Sequence, residues 1–131
     1  MGTRFMATKE SGAAPELKQM LVDSSSTDLR YTGDIAGVPA NWLVPSMRML
    51  GLDPENLPAP KGPMRHDHLP EHVKPWKTFW SAGQGVDLVD DVPTVAELVR
   101  RLRQEYVDAC VTQDMADAAR LVEQVSDHPV R

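Results

Sequence analysis

Apolar positions along this chain fall into short, separate sets, and each set predicts a small element. Pro15 suits the first turn of a helix, and Leu17, Met20 and Leu21 repeat at helical spacing until Asp23 and three serines end the pattern. Residues 1–8 read as the end of a short strand running into a loop, with Phe5 as the large apolar anchor. Leu29–Thr32 is expected to extend as a strand, and Gly33–Pro39, with two glycines and a proline, reads as a loop. A second helix is expected to start near Asn41 or Pro45 and to stop at Gly51, because glycine accepts the left-handed conformation that ends helices. From Leu52 to Lys77 periodicity is lost, and more than half of the prolines and three of the four histidines gather there. Loops of that length in compact domains are usually functional or disordered.

The last third has the strongest pattern. Thr94 with Glu97 spells a capping box, in which each side chain satisfies the other residue's orphan backbone amide. Val95, Leu98, Val99, Leu102, Tyr106 and Ala109 follow on one helical face, so a helix is predicted from Val95 to Val111. Met115, Ala118, Ala119, Val122 and Val125 form a second stripe, with Gln113 interrupting the register; two helices and one bent helix both remain open. Just before the capping box, Trp80–Pro93 sets two glycines around Gln84 and leads into Val86, Leu88 and Val89, a glycine turn followed by a short buried piece.

Composition narrows these elements to one small core. A chain of 131 residues holds one domain and is too short for a complete (β/α)₈ barrel, which takes about 200 residues at the least. Leu, Ile, Val and Phe together supply only 29 residues, a thin core for that length. Eleven prolines against two phenylalanines and two tyrosines argue against a β-sandwich. The net charge of −5 is the opposite of a nucleic-acid footprint, so DNA and RNA are not expected partners. No apolar run approaches the roughly 20 residues of a membrane span, and no leader pattern opens the chain. The single cysteine, Cys110, fits a reducing compartment, so a cytoplasmic protein is expected, with Cys110 itself a small buried hydrophobe.

Candidate chemistry is sparse. His66, His68 and His72, with Asp67 and Glu71, invite a metal reading, and His68 to His72 spells H-x-x-E-H. Pro70 between the two histidines disfavours the helix that would put them on one face, so the segment reads as a solvated loop and no metal is expected. Trp42, Trp76 and Trp80, with Phe79, read as packing anchors ahead of stacking surfaces for a planar ligand. Gly83-Gln84-Gly85 offers close backbone approach and a side-chain amide that both donates and accepts, which suits a flavin edge or a phosphate. Gly2-Thr3, read at a strand end, offers backbone amides and a hydroxyl to a phosphate.

Taken in order, MGTRFMATKES (1–11), LKQMLVDS (17–24), GVPANWLVPSMRMLGLDPENLP (37–58) and WSAGQGVDLVDDVPTVAELVRRLRQEY (80–106) resemble the C-terminal part of the nitronate monooxygenase family, the 2-nitropropane dioxygenase-like FMN enzymes. The resemblance ends near residue 108. It implies an α/β fold: the C-terminal fragment of an FMN-binding (β/α)₈ TIM barrel plus a lid-like extension, mostly helical with long loops in isolation. Residues 1–24 would be the last barrel strand and its helix, 25–93 the lid-like extension with the long Pro/His-rich loop, and 94–131 the C-terminal helices. Met1 stands where the family commonly has an internal methionine, which suggests a truncated or misassigned reading frame, with barrel-coding sequence expected upstream.

By the same resemblance Gly2 and Thr3 would hold the FMN phosphate and Gln84 and Gly85 would lie near the flavin. The family's catalytic histidine belongs to the part this chain lacks, so no catalytic residue is assigned, and His66, His68 and His72 do not inherit that role. The complete enzyme would oxidise alkyl nitronates with O2, and this chain alone is expected to be inactive. Related FMN barrels that act as enoyl or quinone reductases are the alternative, and a non-catalytic helical interaction module is the rival from another class. Partners would be a nitronate substrate in the complete enzyme and a second copy or the missing N-terminal barrel portion. Where the family reads A-G-Q-G-V-G, Asp87 replaces the last glycine. A position needing positive φ would be strained by that change, and the carboxylate would repel a phosphate or reduced flavin.

Overall fold

The computed structural model describes residues 1–62 and 67–126, with side chains throughout except at 118, 119 and 121–126. Two compact units divide the chain, Met1–Pro93 and Thr94–Arg131.

In the first unit the elements are α1 (Gly2–Met6), α2 (Pro15–Asp23), β1 (Leu29–Thr32), β2 (Ala40–Leu43) and α3 (Val44–Met49), with short 3₁₀ turns at Ser26–Asp28 and Gln84–Leu88. α2 begins with Pro15 at its first position, where the missing N–H costs nothing. α3 ends where Gly51 takes φ +75°. Two expectations are corrected here. Residues 2–6 are a helical turn and not a strand end. A strand needs a neighbour for its backbone groups, and the sheet among the described residues pairs β1 with β2 alone, so this segment closes its own bonds, Phe5 N–H to Met1 O (3.3 Å) and Ala7 N–H to Thr3 O (3.3 Å). Asn41 belongs to a strand that the sequence left unread: β2 pairs antiparallel with β1, Leu29 opposite Leu43 and Thr32 opposite Ala40.

β2 organises the packing because its side chains alternate between two faces. Leu43 joins a core with Ala7, Leu17, Leu21, Trp80 and Val86. Trp42, its neighbour, joins the other core with Ile35, Met47, Leu69, Val73 and Phe79. The free edge of β2 takes the chain at Trp80–Ser81: Leu43 N–H donates to Trp80 O at 3.0 Å, and Trp42 bridges Ser81. Buried Ser46 accepts the Trp80 N–H at 2.9 Å.

The described part of the 52–77 segment is pinned by a few apolar side chains, while Asp67, Pro70, Glu71 and His72 stay exposed, as the solvated-loop reading expects. Leu69 and Val73 are buried in the Trp42 core, and Leu52 and Leu57 pack against it. Trp42 stacks with Phe79 at 4.7 Å and with Trp76 at 5.1 Å between ring centroids, both tilted. Trp42, Phe79 and Trp80 are buried, while Trp76 is half exposed and carries a left-handed φ of 59°. The packing reading of the aromatics thus describes three of the four.

The described residues of the second unit form one helix, α4 (Val95–Ser126), which runs unbroken past Gln113. Its capping box forms as read: Thr94 N–H donates to Glu97 Oε2 at 2.8 Å and Glu97 N–H to Thr94 Oγ1 at 3.2 Å. Among the described residues no helix is long and apolar enough to cross a membrane.

Candidate functional site

Two segments 80 residues apart meet at one hydrogen bond. Thr3, on the first turn of α1, accepts the Gly83 N–H on its Oγ1 at 2.8 Å. This contact brings the pair Gly2 and Thr3 beside the turn that carries Gln84 and Gly85. Arg4 extends the junction: Nη1 donates to Asp91 O at 2.9 Å, Nη2 pairs with the Asp91 carboxylate, and Asp90 lies 3.5 Å away. Lys9 N–H to Pro93 O at 2.9 Å closes the same seam. Arg4 is nearly buried, so its charge is neutralised within the seam and does not face outward.

The junction leaves polar groups at the surface. Gly2, Gly83, Gln84 and Gly85 are exposed and Thr3 is half buried. Because Thr3 Oγ1 accepts from Gly83, its own proton remains to donate elsewhere. Space is tight for a side chain at Gly83 and open at Gly2 and Gly85. A Cβ on Gly83 would meet Thr3 Oγ1 at 3.2 Å, whereas one on Gly2 or Gly85 would meet nothing within 4 Å. Gly85 has φ −78° and ψ 20°, which any residue adopts. Contacts within the fold therefore do not require glycine at positions 2 and 85.

Asp87 corrects an expectation. Its φ is not positive, so replacing glycine by aspartate strains nothing. The side chain turns to the neighbouring 3₁₀ turn, where Oδ1 accepts the Ser26 N–H at 2.7 Å. Hydrogen bonds from the Ser26 side chain and backbone hold its carboxyl below the usual value of 3.8. The carboxylate thus caps an orphan amide and keeps its negative charge.

The histidine segment shows no convergence. His68 Nε2 lies 2.7 Å from Asp34 O, and His72 Nε2 lies 3.3 Å from Leu50 O. Each ring reaches a different carbonyl, and Pro70 O accepts the Val73 N–H at 2.8 Å in a tight turn between them. His66 lies outside the described residues. Cys110 is exposed and not buried as expected, since residues 103–117 of α4 are all exposed.

Sequence reasoning named Gly2, Thr3, Gln84 and Gly85 as site residues and singled out Gly83 in the same turn, and it missed Arg4, Asp91 and the Ser26–Asp87 contact. Gly83 carried a signal, as the first glycine of the pair around Gln84. The others had none, because their partners are more than 60 residues away.

Comparison with known proteins adds the fold. No protein-family model matches the chain, and no curated protein matches it. Among solved structures it is similar to the M276A mutant of FabK from Thermotoga maritima, with a TM-score of 0.58 and 22% identity over 88% of this chain. The match takes in 36% of the FabK chain, so this chain spans about a third of that protein's length. What this likeness shows is the fold: a small mixed helix and strand unit built like part of a TIM-barrel enzyme.

Proposed function

We propose that the chain is the C-terminal portion of an FMN-dependent barrel oxidoreductase that, when complete, oxidises alkyl nitronates with O2. The observation that carries this reading is the Thr3–Gly83 junction, which gathers the four residues assigned by resemblance onto one exposed surface. Support comes from the fold likeness to FabK, itself a 2-nitropropane dioxygenase-like FMN enoyl reductase.

The residues present fit a phosphate and a flavin edge. Exposed glycines at 2 and 85 leave room for close approach, and Gly2, Thr3 and Gln84 supply N–H and O–H donors suited to an anion and to ring carbonyls. FMN, when bound, supplies two-electron chemistry between substrate and O2. This chain's own contribution is positional. Thr3 is fixed by Gly83, and Arg4 by Asp91, so the donors stand in one arrangement before any ligand arrives. In TIM barrels a phosphate site is frequently formed by the loops after strands seven and eight together with a short extra helix, and in this reading α1 would take that part.

The test compares the chain alone with a form carrying a barrel portion joined at its N-terminus. The joined form should retain yellow FMN through gel filtration and consume O2 with propyl-2-nitronate, and the chain alone should do neither. Turnover by the chain alone would overturn the fragment reading. The likeness to FabK favours a second reading, an enoyl reductase; a joined form that reduces an enoyl thioester with a nicotinamide cofactor and leaves nitronates untouched would select it.

A further inference from the structure

α4 is 32 residues long, and every side chain from 103 to 117 is exposed, with Val107, Val111 and Met115 among them. Isolated helices are marginal in water, because most helical stability in proteins comes from packing. A run of this length and exposure therefore gains from a cover, and its charges say which. Val99, Arg103, Val107, Cys110, Asp114 and Asp117 follow one another at three or four residues, so they share one face. That face is basic before Cys110 and acidic after it. Arg103 has no carboxylate three or four residues away on its own helix, and Asp114 has no base. Asp114 and Asp117 are three residues apart and repel each other. Arg120 lies 3.8 Å from Asp117, an exposed pair of little weight.

A second copy of the same helix supplies what this face lacks. Cys110 stands at the middle of α4, with 15 helical residues before it and 16 after. Arg103 and Asp117 are each seven positions from Cys110, on opposite sides. Two copies laid antiparallel and crossing at Cys110 therefore bring Arg103 of each level with Asp117 of the other, with Asp114 of that copy about one turn away. A parallel pair would instead set Arg103 on Arg103 and Asp117 on Asp117, which repels at both places.

We propose that α4 is a self-association face on which two copies of this chain pair antiparallel about Cys110, joined by an Arg103–Asp117 ion pair on each side and by Val107 and Cys110 between them. The contact is largely polar, so the dimer is weak and forms as concentration rises. Sedimentation equilibrium of the full chain should show monomer when dilute and dimer at about 500 µM. Raising NaCl from about 50 mM to about 500 mM should weaken it, because salt screens the ion pairs. Arg103→Asp and Asp117→Arg should each weaken the dimer about tenfold, with helix content by circular dichroism unchanged. An equimolar mixture of the two variants should restore it. Copper phenanthroline should join two chains through Cys110, but not in the double variant Val99→Cys, Cys110→Ser, whose thiols would stand ~33 Å apart in the antiparallel pair. A chain that stays monomeric at every concentration, a dimer tightened by salt, charge-reversed variants that pair as well as the parent, a mixture that does not pair, or cross-linking through position 99 would each overturn the proposal.

Discussion

At the scale of single residues, charge pairs and lone groups have distinct consequences. Arg4 is nearly buried against Asp91, so Arg4→Ala leaves a partly buried carboxylate without its guanidinium. We expect a loss of about 1–3 kcal/mol, read as a lower urea midpoint with an unchanged slope. Asp87 behaves differently. Its carboxyl sits below the usual 3.8 because of Ser26, so it is depressed in the folded state. A depressed carboxyl stabilises above the unfolded value, and that stabilisation is lost as pH falls through the folded value. Wild type and Asp87→Asn should therefore differ in thermal midpoint at pH 6 and converge as the pH falls through the lowered folded-state value, below 3.8. Cys110, exposed on α4, should react with a thiol reagent in the dilute folded protein as fast as in urea. A protected thiol would mean that α4 is covered in solution.

At the scale of elements, burial decides which apolar residues matter. Trp42 is fully buried and stacks on Phe79 and Trp76, so Trp42→Ala should cost about 3–5 kcal/mol in a denaturation experiment. Tyr106, 71% exposed on α4, should change stability by less than about 0.5 kcal/mol when replaced by serine. The stripe on α4 was legible as a helix, and burial follows it at Leu98 and not at Val99, Tyr106 or Met115, which are exposed. α2, β1 and the end of α3 were legible because Pro15, the Leu29–Thr32 run and Gly51 act locally. β2 was not, because Ala40–Leu43 holds no alternating pattern: Trp42 and Leu43 are both apolar, each facing a different core.

At the scale of the whole molecule, the chain is similar to about a third of a barrel enzyme, and its candidate flavin-facing residues occupy one surface. Their assembly depends on the Thr3–Gly83 contact. Replacing Thr3 with valine removes the acceptor and leaves the Gly83 amide to water. In the joined form, this change should weaken FMN retention about tenfold while the isolated chain loses about 1 kcal/mol of stability.

The sequence alone determined what neighbours along the chain decide: the proline that starts α2, the glycine that ends α3, the Thr94–Glu97 box, and glycines flanking Gln84. These rest on backbone geometry and hydrogen bonds within a few residues. Only the tertiary structure decided that residues 2–6 coil, that the 52–77 segment is anchored by Leu69 and Val73, and that Asp87 caps Ser26 without strain. The last two depend on partners dozens of residues away, whereas residues 2–6 close their own backbone bonds because no strand lies beside them to take them up.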